Sequence, residues 1–386
     1  MLRSREAPQS RIERACTEDG IELALRRYPR AGGDPVVLMH GLAQNCNAWD
    51  LPLPGFSFAR YLAERGFDVW CANLRSHGRD DFASGNAGRW DWTVDHFAAY
   101  DVPAIVRRVI DETGKKPFWV GHSMGGMVAI MYLQGACFCG THLAGDLDLS
   151  RERNERGIRG LVALSSPARL QMESGISAAY GLASLLGDRN LVTRVLKRPG
   201  LARRVLRRIP RVGLSRLGRF FDSEGRIPES NGGTVRLALR WSFQEATRFV
   251  TCRQIWHGPN MDRRVFHAAL RHTVDDICGK VLLQFVDWVE NRTFRAWPEH
   301  TPRGSSPFVY CDHFDRITCP VLLGGGTHDR IACLRTIESD AYRKVQSRDK
   351  TFLPIADAGH ADVLYGVRTS SSLYPMLAAW MANRGG

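Results

Sequence analysis

The sequence predicts an α/β protein, a mostly parallel sheet flanked by helices with a mainly helical cap inserted after the sixth core strand. Three observations predict it. Short apolar runs alternate with longer segments whose apolar residues recur at helical spacing, the rhythm of a sheet covered on both faces. The stretch "FWVGHSMGGMVAI", Phe118 to Ile130, sets one serine between glycines where such a run gives way to a helical one. Between about Pro167 and Pro307 the alternation stops, and helix-like segments follow without a clear buried strand.

The elements follow in order. "IERACTEDGIELALRRY" carries apolar residues alternately on both sides of Asp19-Gly20, so it reads as an opening hairpin. The core strands are then "PVVLMHG", "FDVWCANL", "PFWVGHS", "IRGLVALSS", "CPVLLGGG" and "KTFLPIADAGH". "SFARYLAERG", "HFAAYDVPAIVRRVIDETG" and "MVAIMYLQGA" are the helices between the early ones. At 386 residues the chain exceeds one usual domain, whereas α/β cores of roughly 250–300 residues form one unit. The expected organisation is therefore a core in two parts, 1–166 and 308–386, interrupted by a cap over 167–307.

Ser123 lies on the corner between a strand and a helix. A residue on so sharp a turn projects its side chain out of the sheet, and the turn closes only if the residues two before and two after lack side chains that would clash. Gly121 and Gly125 are those residues. The N–H groups that open the next helix favour negative charge nearby. An exposed hydroxyl beside an anion site suits acyl transfer.

In such sheets ligands bind beyond the carboxyl ends of the strands. After "CPVLLGGG" come Thr327, His328 and Asp329, and after "KTFLPIADAG" comes His360. Ser123, Asp329, His360 is the nucleophile, acid, histidine order of the α/β-hydrolase fold. His360 would take the serine proton, and Asp329 would fix the imidazole tautomer. One oxyanion donor is expected from the N–H of Met124, directly after the nucleophile, and the other from the loop after "VVLMHG", assigned to Leu42. The alternative acid position after the sixth strand reads Ser165-Ser166-Pro167, without a carboxylate. Asp357 and Asp362 flank His360 but are not expected to face it usefully. His40, His122 and His328 read as turn-packing residues. Capping after the strand is the plainer role open to Asp329.

On these residues the chain resembles a family. "MHGLAQNCNAW", "GFDVWCANLRSHGRD", "YDVPAIV" and "GHSMGG" together look like the acid lipase group of α/β-hydrolases, relatives of gastric and lysosomal lipases. The likeness is densest from about Pro35 to Tyr132 and resumes around Asp329 and His360. It implies hydrolysis of carboxylic esters with a sizeable acyl group, with Ser123 as nucleophile, Asp329 as acid, His360 as base, and Leu42 and Met124 as oxyanion donors. Met124-Gly125-Gly126 is the general hydrolase form of the turn rather than the lipase form. An acyltransferase would use the same covalent intermediate, and a ligand-binding homologue is the non-enzymatic alternative. Dehalogenases and epoxide hydrolases need a carboxylate nucleophile, which Ser123 is not.

Composition narrows the rest. The net charge of +13 is concentrated in 167–307, where 24 Lys and Arg against 12 Asp and Glu leave +12. No nucleic-acid motif accompanies it, so an anionic or lipid surface fits better. In "LARRVLRRI", Leu201, Val205, Leu206 and Ile209 fall on one side of a helix and Arg203, Arg204, Arg207 and Arg208 on the other. The ten cysteines lack paired metal spacing and read as free thiols, with Cys137 and Cys139 in core packing. His313 and Asp315 lack further spaced ligands, so no metal or other cofactor is expected. "MLRSREAPQSRIERAC" has no apolar signal region and no long apolar run follows, which gives the expectation of a cytoplasmic protein, peripheral to membranes at most.

Overall fold

The computed structural model describes residues 9–170, 207–215 and 255–385. Eight strands form one sheet: β1 Arg11–Cys16, β2 Glu22–Tyr28, β3 Pro35–Met39, β4 Asp68–Ala72, β5 Phe118–His122, β6 Gly160–Leu164, β7 Val321–Gly326 and β8 Lys350–Ile355. Their spatial order is β1-β2-β4-β3-β5-β6-β7-β8. β1 pairs antiparallel with β2 and β2 antiparallel with β4, while every pairing from β4 to β8 is parallel.

The central strands are buried throughout because both faces are covered. Val36, Leu38, Phe118 and Val120 belong to one hydrophobic cluster, and Val37, Met39 and Trp119, which point the other way, belong to the second. Two-faced burial explains the unbroken apolar runs, and each such large side chain contributes about 1.5–3 kcal/mol by leaving water. The edge hairpin has one alternating strand, β1, with one wet face. It turns at Gly20, with φ 83°, and Thr17 Oγ1 receives the Ile21 N–H at 2.8 Å.

Helix α1, Phe58–Ala63, is capped by Ser57, whose hydroxyl accepts from the Arg60 N–H at 3.0 Å. The long helical stretch predicted before β5 is present from Val94 to Thr113, with a π turn at Phe97–Asp101, and it stops at Gly114 in the left-handed region, φ 68°. Arg75 pins that π turn to the first hairpin, bonding Asp101 Oδ1 and Asp19 Oδ2 at 2.6 Å each. Helix α2, Met124–Leu133, is buried along its whole length behind the serine.

Two small features depart from the sequence reading. Ala136–Cys139 and His142–Gly145 form a hairpin, with Cys137 half-buried and Cys139 exposed, so the two thiols are not core packing. Between β6 and β7, Arg211–Val212 pairs with Ile277–Cys278, in a stretch read as lacking strands. Pairs this short have no periodicity to detect. The described part of this stretch also contains helices α3, Arg263–Thr273, and α4, Gly279–Asn291. Leu201–Leu206 of the segment read as an amphipathic helix lie outside the described residues, and exposed Arg207 and Arg208 form a turn leading into Arg211–Val212.

Candidate active site

Ser123 occupies the junction of β5 and α2 with φ 52° and ψ −120°, a conformation L residues avoid. Strain of this kind costs about 1–3 kcal/mol and persists only where the surroundings over-determine it. They do so here. The Ser123 N–H extends the sheet by donating to Leu164 O at 2.9 Å, and Ser123 O accepts from the N–H groups of Gly126 and Met127 at 3.1 and 3.2 Å. A methyl group on Gly121 would lie 2.4 Å from Gly125 C and O, and one on Gly125 would lie 2.4 Å from Met39 O. Both glycines are therefore required sterically. Gly126 is equally confined, 2.0 Å from Ser166 Oγ.

Asp329 follows β7, where the Thr327 and His328 N–H groups donate to Ile355 O and Ala358 O at 2.9 and 2.8 Å and bind this turn to the next strand's exit. Its Oδ1 accepts from the N–H groups of Ile331 and Ala332 at 2.8 Å each. The carboxylate thus does cap the following turn, and the same bonds fix it for a second partner. That partner is His360, whose Nδ1 is 2.9 Å from Asp329 Oδ2, while its Nε2 is 2.9 Å from Ser123 Oγ. Ser123, Asp329 and His360 are 7, 8 and 7% exposed, so the three meet just beneath the surface.

His360 is held by groups the sequence reading passed over. The Gly359 N–H donates to Asp362 Oδ1 at 2.9 Å, and buried Asp362 also accepts from the His257 N–H at 3.0 Å and from Asn260 Nδ2 at 2.7 Å. Asp362 thereby ties the His360 turn to residues 255–260 without facing the imidazole. Asp357 is exposed and points away, 3.8 Å from His328 Nε2. His122 donates from Nε2 to the His360 carbonyl at 2.9 Å; burial, then the neighbouring His360, push its pKa down to about 3, so it stays neutral. His40 donates from Nδ1 to Gly41 O at 2.9 Å and accepts the Leu74 N–H at Nε2, and burial, then His77, hold its pKa well below the usual value. His328 stacks on His257 with ring centroids 4.0 Å apart, and His313 stacks on Phe308 at 4.5 Å.

The Leu42 loop leaves β3 directly beside the serine. A methyl group on Gly41 would come within 3.2 Å of Ser123 Cβ. Among the described residues, the N–H groups of Leu42 and Met124 have no protein acceptor; Met124 opens α2, where an N–H has no partner within its own helix.

Comparison with known proteins agrees with this architecture. A family model described as the alpha/beta hydrolase fold matches residues 34–136. The chain is similar to lipase lipl-3 of Caenorhabditis elegans, 34% identical over 131 residues covering 30% of this chain and 32% of that one. It is likewise similar to triacylglycerol lipase 1 of Arabidopsis thaliana, 35% identical over 126 residues with the same two coverages, and to lipase member K of Homo sapiens, 34% identical over 128 residues. These matches span about a third of the relatives' length. Among solved structures, a monoacylglycerol lipase of Paleococcus ferrophilus superposes with a TM-score of 0.50 at 20% identity, covering 94% of this chain and 99% of that one. An esterase from Exiguobacterium antarcticum superposes with a TM-score of 0.50 at 14% identity, covering 96% and 98%. The fold is the α/β-hydrolase fold, and a stretch of about 30% of the chain resembles lipases. No helix among the described residues is long and apolar enough to cross a membrane.

Proposed function

We propose that the chain hydrolyses carboxylic esters through an acyl-enzyme on Ser123. The observation that carries the reading is one imidazole 2.9 Å from a strained serine hydroxyl on one side and 2.9 Å from a carboxylate fixed by two backbone N–H groups on the other. Neutral His360 takes the serine proton at Nε2 as Oγ attacks the ester carbonyl carbon. Its Nδ1–H stays bonded to Asp329, which stabilises the imidazolium formed. The carbonyl oxygen, now negative, receives the N–H groups of Leu42 and Met124. Collapse of the intermediate expels the alcohol, which takes the proton from His360. Water, deprotonated by the same imidazole, then releases the acid and regenerates the hydroxyl. The names of the relatives support an acyl ester of a lipid-like alcohol as substrate, and we assign 167–307 to a cap over the site, with its positive charge towards an anionic or lipid surface.

Ser123→Ala tests the reading. Loss of a triad nucleophile costs on the order of a millionfold in turnover, so the variant should lose nitrophenyl ester hydrolysis and fluorophosphonate labelling while its circular dichroism is unchanged. Retention of more than about one per cent of activity refutes it.

A further inference from the structure

The loop that would supply the Leu42 N–H is not held by its own strand. Gly41 donates to Gln44 Oε1 at 3.1 Å, and Ala43 sits at φ 60°, in the left-handed region that favours glycine. Residues about 230 positions later keep it there. The Asp275 N–H donates to Ala43 O at 2.8 Å, and Gln44 forms an antiparallel bridge with Val274. Asn45 and Asn47 each donate through Nδ2 to His272 O at 3.1 Å. Asp275, 6% exposed, gathers a second loop as well: its Oδ2 accepts from the Gly78 N–H at 2.7 Å and from Asn45 Nδ2 at 3.4 Å. Beside it, Arg79 donates to Arg271 O at 2.8 Å.

We propose that Asp275 is a positioning residue of the reaction: it locks the loops after β3 and β4 to the segment joining α3 and α4, and so fixes the direction of the Leu42 N–H. The proposal rests on the reading of Leu42 as an oxyanion donor. Asp275 touches none of Ser123, Asp329 or His360, so its loss leaves the nucleophile and its base in place. What changes is a donor used only when the carbonyl oxygen becomes charged. Interactions made only in the transition state appear in kcat rather than in KM.

The test is Asp275→Ala, with Asp275→Asn as the variant that keeps the size and one acceptor. With a short soluble nitrophenyl ester, kcat should fall about 10- to 100-fold, the loss typical of a displacement near 1 Å, while KM stays within about threefold. Amide exchange over 42–47 should quicken while that over 118–130 is unchanged. The asparagine variant, which keeps an acceptor for the Gly78 N–H, should stay near wild type. If the alanine variant does not fold, Asp275→Val, which also lacks an acceptor, decides on the same readouts. A folded alanine or valine variant with wild-type kcat and wild-type exchange overturns the proposal, as does a fall in kcat without faster exchange at 42–47. Ser123→Ala is assayed in parallel: hydrolysis that survives it overturns the reading of the site, and the exchange measurement still decides whether Asp275 braces the loop.

Discussion

Replacing Gly125 by alanine should cost the protein far more than one methyl group suggests. The new Cβ would stand 2.4 Å from Met39 O, 2.6 Å from His40 O and 2.9 Å from Met39 C, where ordinary contact begins at 3.4 Å. None of these atoms is the end of a flexible side chain. Met39 O is further anchored by the Trp49 indole, which donates to it at 2.8 Å, and Gly125 O accepts from the Trp119 indole at 2.9 Å. Relief therefore requires the serine turn and the end of β3 to separate by about 1 Å, in the gap across which Ser123 faces the Leu42 loop. Displacement on that scale typically lowers turnover about 100-fold, equivalent to about 2.7 kcal/mol of transition-state stabilisation. Overpacking adds about 1–3 kcal/mol of lost fold stability. The assay is kcat on a soluble nitrophenyl ester beside a urea unfolding curve. Gly213→Ala serves as the control, because a methyl group there meets nothing within 4 Å. A Gly125→Ala protein whose kcat is within threefold of wild type would refute the reasoning.

Acid should destabilise the fold through its buried histidines. His96 and His122 are pushed down to about 3 and His40 well below the ordinary 6.5 of histidine, burial being the first cause each time. The unfolded chain then binds protons the folded chain refuses as pH falls from about 6.5 towards 3, so stability drops by about 1.4 kcal/mol per pH unit for each histidine; a melting temperature unchanged between pH 7 and 5 would contradict this. Asp95→Ala should cost roughly 3–5 kcal/mol, because buried Asp95 accepts from Gln284 Nε2 at 3.0 Å, Tyr310 Oη at 3.1 Å, the Trp297 N–H at 2.8 Å and His300 Nδ1 at 2.9 Å. An unfolding midpoint equal to that of wild type counts against that arrangement.

All eight sheet strands were legible: the central five are unbroken buried runs and edge β1 alternates, both dictated by which faces meet water, while β2 is buried over most of its length and β8 is half-buried. Ser123, Asp329 and His360 could be picked out because each lies in the turn that follows a strand end, and parallel strands bring their ends to one edge of the sheet. What escaped notice depends on contacts across long separations. Asp362 looked like a mere neighbour of His360, yet it works by receiving the Gly359, His257 and Asn260 donors. Asp275 has no motif at all; its partners Ala43, Asn45 and Gly78 are close only once the chain is folded. Its helix-flanking position, between α3 and α4, reads locally as an ordinary polar connection.

The uneven reach of the sequence likeness has a physical cause. The segment matched by the family model, 34–136, contains β3, β4, β5 and the serine turn, where backbones approach within van der Waals limits and Gly121 and Gly125 leave no room for alternatives. Backbone contact of that kind dictates residue identity at consecutive positions and so leaves a dense signature. Asp329 and His360 lie outside the match. Each needs only a strand that ends at the right edge and a turn whose N–H groups are satisfied, a demand on geometry that many sequences meet. The segment between β6 and β7 adds no strand to the sheet among the described residues, so fewer of its positions are fixed by the sheet, although His257 and Asn260 tie down the His360 turn and residues 272–275 the Leu42 loop. On the proposal that 167–307 caps the site, divergence in substrate preference is expected to concentrate there while the sheet strands keep their register.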